Sequence, residues 1–101
     1  MSKNLDLEKA FQSSLISELR VRFPNCFILV TNQRCPQGFP DLIVLWNAHW
    51  AMLECKRSAT AIHQPNQDYY VKLFNEMSFA AFIYPENKKE VLDALAIAFG
   101  D

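Results

Sequence analysis

Apolar residues recur along this chain with two different periods, and the switches between them mark out its elements. Leu7, Phe11, Leu15, Ile16, Leu19 and Phe23 follow one another at helical steps and form a single stripe. Asn4 or Asp6 is placed to cap this helix, acidic residues fall in its first turn where the helix dipole favours them, and Pro24-Asn25 ends it. Cys26 to Thr31 is a continuous apolar run of strand length between turn residues, and it reads as a buried strand. Asn32 to Phe39 is polar, holds Pro36 and Gly38, and reads as a loop. Asp41 then opens a second apolar, β-prone run that ends at Trp46. Asn47 and Ala48 can turn the chain, and His49 to Leu53 leads back toward Glu54, which predicts an antiparallel hairpin.

Arg57 to Pro65 has no clear period and reads as a second loop. A helix beginning at Pro65 or Asn66 carries Tyr69, Tyr70, Leu73, Phe74 and Met77. Phe79 to Tyr84 is a further strand, broken by Pro85. Glu86 to Phe99 forms a last helix with Val91, Leu92, Leu95, Ala96 and Phe99 on its apolar face, closed by Gly100. The predicted order is αβββαβα. The helix between the third and fourth strands is a crossover, so the fourth strand can lie parallel to a neighbour. The expectation is one α/β domain over residues 1–101, a mixed central sheet flanked by helices.

Half of the residues are hydrophobic, enough for a core that needs no covalent staples. The formal charge of −1 argues against a basic coat for nucleic acid, without excluding a local basic face. Cys26, Cys35 and Cys55 are odd in number and irregular in spacing, so neither a disulfide framework nor a zinc site is expected. Cys55 reads as a small buried hydrophobe. No apolar run approaches the ~20 residues of a membrane span, and no signal peptide is visible, so a cytoplasmic location is expected.

The chemistry concentrates at the ends of the hairpin. An antiparallel pairing brings Asp41, at the head of one strand, beside Glu54, near the end of the next. Two carboxylates held together repel each other and call for a cation, and hard oxygen ligands suit Mg²⁺ or Mn²⁺. Lys56 lies two residues beyond Glu54 and so shares its face. Its ammonium can then meet the same phosphate or water as the metal, a constellation fit for phosphodiester cleavage. Arg34, Arg57 and Lys72 are candidates for holding a DNA backbone, although such charges more often mark a solvated face, as Lys88-Lys89 does. His49 and His63 lack metal-ligand spacing.

Pro40-Asp41 followed by Glu54-Cys55-Lys56, with Gly38 ahead of it, resembles the PD-(D/E)XK nuclease superfamily, and most of all its VRR-NUC and Holliday-junction-resolvase branches. The resemblance implies a restriction-endonuclease-like core and a metal-dependent endodeoxyribonuclease. It implies a Mg²⁺ or Mn²⁺ site of Asp41, Glu54 and the backbone carbonyl of Cys55, with Lys56 acting on the water or the phosphate. A first-helix acid often completes such a site. Glu8, four residues before Gln12, is the favoured candidate and Glu18 the alternative. Gln67 resembles the glutamine of the VRR-NUC helix, with Gln64 its competitor.

Implied partners are branched DNA, in flap or four-way junction form, and a second copy of the chain, because two-fold symmetry matches that of a junction. Two alternatives stay open. One is a nuclease on linear or single-stranded DNA working with a helicase. The other is a DNA-binding or assembly module that has lost cleavage. A phage or mobile element would suit a chain of this kind.

Overall fold

The computed structural model describes the backbone of residues 3–100 and the side chains from residue 6 to residue 100. The elements run α1 (Lys3–Arg22), β1 (Phe27–Val30), β2 (Leu42–Trp46), β3 (His49–Cys55), α2 (Gln67–Met77), β4 (Phe79–Ile83) and α3 (Lys88–Ala98). The four strands form one mixed sheet in the order β1-β2-β3-β4. β1 with β2 and β2 with β3 are antiparallel, while β3 and β4 are parallel through the α2 crossover. Asn47 turns the β2–β3 hairpin in a left-handed conformation, φ 55°, which asparagine tolerates better than most residues.

One face of the sheet makes the core. Leu42, Val44, Ala51, Leu53, Cys55 and Ile83 are fully buried there, and the strand registers place them side by side. They form one cluster with Leu15, Leu19 and Phe23 from α1 and its exit, and with Leu92, Leu95 and Phe99 from α3 and its exit. The Phe23 ring meets Trp46 and Phe99 edge-on at 5.2 and 5.3 Å, closing the end of the sheet far from the carboxylates. Two ion pairs tie the flanking helices together, Arg22 to Asp93 at 2.7 Å and Lys88 to Glu18 at 3.0 Å. The guanidinium of Arg22, followed by the Lys89 ammonium, holds the Asp93 carboxyl below the usual range. The other face of the sheet is covered over β3 and β4 by α2, where Phe74 packs against Phe39, Tyr70 and Trp50.

Several side chains depart from the sequence-based expectation. β1 is not a buried strand. It is the sheet edge, with Phe27, Leu29 and Val30 61, 50 and 47% exposed, because α2 covers only the opposite half of that face. Leu7 is also exposed, since the first turns of α1 reach the end of the sheet that carries carboxylates rather than apolar side chains. Asn4 and Asp6 lie within α1 rather than capping it, and the Asn4 side chain is outside the described residues. Tyr69 and Met77 turn to solvent, leaving Tyr70, Leu73 and Phe74 as the packed side of α2. Among the described residues no helix is long and apolar enough to cross a membrane.

Candidate metal centre

Three elements deliver one acid each to the same point. The register that pairs Leu42 with Leu53 places the preceding Asp41 opposite the following Glu54. Glu8 comes to them from the second turn of α1. Each of the three offers a carboxylate oxygen, and these oxygens all lie within 4.8 Å of one another.

The backbone fixes Asp41 from both sides. Its carbonyl accepts the Thr31 backbone N–H at 2.8 Å and the Thr31 hydroxyl at 3.2 Å. The same hydroxyl donates to the Pro40 carbonyl at 2.7 Å. The Asp41 Oδ2 atom accepts the Cys55 N–H at 2.9 Å, so the carboxylate of one strand bonds the backbone of the next. The Cys55 side chain points the other way, fully buried in the core, as the strand alternation requires. Burial, then the charges of Asp41 and Glu54, push its thiol well up, so it takes no part as a thiolate.

Glu54 is 2% exposed. One oxygen, Oε2, accepts the Gln67 side-chain amide at 3.0 Å. The other, Oε1, is buried with no hydrogen-bond partner in the protein. A buried carboxylate oxygen without a partner is costly, and a bound cation is the remedy that the donor set suits. Burial and then the Asp41 charge push the Glu54 carboxyl up to about 9, against an opposing pull from Lys56. Burial also raises Glu8 and Asp41; the Asp41 charge opposes ionisation of Glu8, whereas hydrogen bonds from the Cys55 N–H and with Glu54 favour the Asp41 carboxylate. Without a cation the cluster therefore keeps a proton near neutral pH.

Gln67 is the hub of the site. Buried at the first position of α2, its Oε1 accepts the Lys56 ammonium at 2.6 Å and the Gln64 N–H at 2.7 Å, while its Nε2 donates to Glu54. Lys56, 4% exposed, makes a further bond to the Ile62 carbonyl at 3.1 Å. A lysine buried this deeply needs its protons matched, and here neutral oxygens do most of it. Glutamine is the side chain that can bridge a carboxylate and an ammonium at once, because it carries donor and acceptor on one group.

The acids, Lys56 and Gln67 line a cleft of about 370 Å³ together with Arg57, Ala61, Ile62 and Gln64. Of the first-helix acids, Glu8 is in the cluster and Glu18 is engaged by Lys88 on the α3 side. Of the glutamines, Gln67 holds the two charged groups and Gln64 contributes its backbone N–H. Arg57 stands at the cleft. Arg34, whose N–H is turned into its own loop by Asn32, and Lys72, exposed on α2, do not line it. His63 stacks on Phe82 at 3.9 Å and bonds Asp68, a structural role on the far side of the loop.

Sequence reasoning missed three supports. Thr31 clamps the Pro40-Asp41 backbone, the Ile62 carbonyl holds Lys56, and Gly38 sits against the start of α2. A Cβ on Gly38 would stand 2.5 Å from the Pro65 carbonyl oxygen, and the residue has φ +90°. Only the glycine itself signalled this, as a close approach of backbone to backbone. No family model, curated protein or solved structure matches the chain.

Proposed function

We propose that this chain is a Mg²⁺- or Mn²⁺-dependent endodeoxyribonuclease with a PD-(D/E)XK-type site on a restriction-endonuclease-like core. The observation that carries the reading is the Glu8–Asp41–Glu54 cluster, with the orphaned Glu54 Oε1 inside it and Lys56 held at its side. Glu8, Asp41 and Glu54 would hold the ion, with the Cys55 carbonyl as a further oxygen ligand. A divalent ion held there would supply Lewis-acid activation of the phosphate and of the attacking water.

The protein's own side chains supply the rest. Asp41 is oriented by the Cys55 N–H, and Glu54 by the Gln67 amide. Lys56 brings a positive charge to the cleft where charge develops on the phosphate, and its ammonium can donate a hydrogen bond that orients the attacking water. Arg57 at the cleft rim meets a phosphate of the same strand. Branched, flap or junction DNA is the favoured substrate. The free edge of β1, with its exposed Phe27 and Leu29, supports pairing with a second copy of the chain.

The test incubates the purified protein with linear, flap and four-way DNA in Mn²⁺, Mg²⁺ or EDTA, and sediments the same samples. Cleavage in either metal, absent in EDTA and strongest on a branched form, is expected. A preparation that binds Mn²⁺ but cuts none of the substrates would refute the reading.

A further inference from the structure

A second cavity adjoins the metal cleft at Asp41 and carries none of its cations. It measures about 480 Å³ and lies in the loop between β1 and β2. Its polar lining is Thr31, Asn32, Gln33 and Gln37, its apolar wall Cys35, Pro36 and Phe39, and Asp41 is its sole charged residue. Asp41 therefore lines both cavities. The cationic side chains Lys56 and Arg57 lie in the metal cleft and not in the loop cavity.

The cavity is built rather than incidental. Two tight turns close its backbone, Cys35 N–H to the Asn32 carbonyl at 3.0 Å and Phe39 N–H to the Pro36 carbonyl at 3.1 Å. Phe39 is wedged edge-on against Tyr70 and Phe74 of α2 at 5.6 and 5.3 Å. Gly38 is pressed on Pro65 and Asn66. Against this fixed frame the Asn32 Oδ1 atom accepts the Arg34 N–H at 2.9 Å, and its amide donors make no hydrogen bond among the described residues. Gln33 and Gln37 make no internal side-chain hydrogen bond among the described residues and are exposed at the cavity.

We propose that this loop cavity is a subsite for one unpaired nucleotide, base and sugar, immediately next to the phosphate held at the acid cluster. The inference rests on the nuclease reading and narrows its substrate to DNA that is single-stranded beside the cut. A primary amide sets a donor and an acceptor side by side, the complement of a nucleobase edge. Lys56 and Arg57 stand in the neighbouring cleft, where they draw a phosphate, and no cation lines the loop cavity. The neutral nucleoside thus goes to the amides, and the phosphate goes to the cations. The volume falls in the roughly 300–1,000 Å³ range of small-molecule sites. An unpaired base offers these amides its pairing edge as well as its groove edge, whereas a paired base offers only the groove edge, so an unpaired base is the better fit.

The experiment cuts forked DNA, randomised around the junction, with the full chain and Mn²⁺, and maps every new end by sequencing. A base preference of at least about fivefold at one nucleotide beside the cut is expected, the size one good amide–base pairing gives. Intact duplex of the same sequences should be cut far more slowly. Asn32→Ala combined with Gln37→Ala should flatten the preference while Mn²⁺ affinity, by calorimetry, stays unchanged. Cutting without base preference, a preference untouched by the double variant, or duplex cut as fast as forks would overturn the subsite. In parallel, single-stranded tetranucleotides of each base are titrated in Ca²⁺ onto ¹⁵N-labelled protein. Shifts in the side-chain amide signals of Asn32, Gln33 and Gln37 support the subsite even if no DNA is cut, an outcome that sinks the nuclease reading alone. No shift with any tetranucleotide overturns the subsite and leaves that reading standing on its cleavage.

Discussion

At the residue scale the decisive group is Glu54, a carboxyl that burial and the neighbouring Asp41 charge push well above its ordinary value. Its ordinary value is 4.5 and its folded value about 9, so between those limits the folded protein holds a proton that the unfolded chain releases. Stability of the metal-free protein is then greatest at the acid end of this window and falls as pH rises toward 9. Circular-dichroism melts in EDTA should give a higher midpoint at about pH 5.5 than at about pH 8.5, and Glu54→Gln should remove most of the difference. The same variant, like Asp41→Asn, should abolish cleavage while keeping the fold, because each removes a hard ligand without changing shape. Wild-type rates in either would end the metal assignment. Lys56 separates binding from chemistry. Lys56→Ala should bind Mn²⁺ normally in calorimetry yet cut ~10²–10⁴-fold more slowly at saturating DNA, as loss of one acid–base or charge-stabilising group does. Undiminished cutting would reduce Lys56 to a structural partner of Gln67.

At the element scale the site is a meeting of α1, the β2–β3 hairpin and the first turn of α2, and each makes a separable contribution. Glu8→Gln should impair cleavage far more than Glu18→Gln, whose carboxylate pairs with Lys88 between α1 and α3. An inactive Glu18 variant beside an active Glu8 variant would contradict the cluster. Gly38→Ala forces a side chain into the α2 start and into a left-handed backbone, at a cost of about 1–3 kcal/mol, so both its melting midpoint and its activity should drop. An alanine variant as stable and active as wild type would remove the coupling of the two loops. The hairpin was legible in the sequence because an apolar run beginning at Asp41 and one ending at Glu54, joined by an asparagine turn, leave one register that puts both acids together. The helices were legible from their stripes. What was not legible depends on neighbours distant in sequence. A short apolar run cannot say whether it lies at the centre of a sheet or at its edge, so β1 read as buried. The stripe of α1 could not announce that the sheet beneath Leu7 ends in carboxylates. Gln67 stood out as a helix-start glutamine, yet its bridge between Lys56 and Glu54 exists only once the crossover lays α2 on the sheet.

At the scale of the whole molecule, the acid cluster is a repulsive point that joins residues far apart in the chain, so a cation bound there stabilises everything packed around it. Mn²⁺ at about 100 times its Kd should add ~2.7 kcal/mol. In a domain of this size that raises the melting midpoint by roughly 10–20 °C. EDTA should reverse the rise, and Asp41→Asn should blunt it; a midpoint indifferent to Mn²⁺ would mean the cluster holds no ion. The edge strand β1 sets a different limit. From Cys26 to Thr31 the chain carries six residues with no charge and no proline, and β1, the strand within them, has a free side. Such a segment is a template for further strands once heating loosens the rest. Thermal inactivation of this protein is then a race between refolding and strand addition, and its half-life at high temperature will shorten as protein concentration rises.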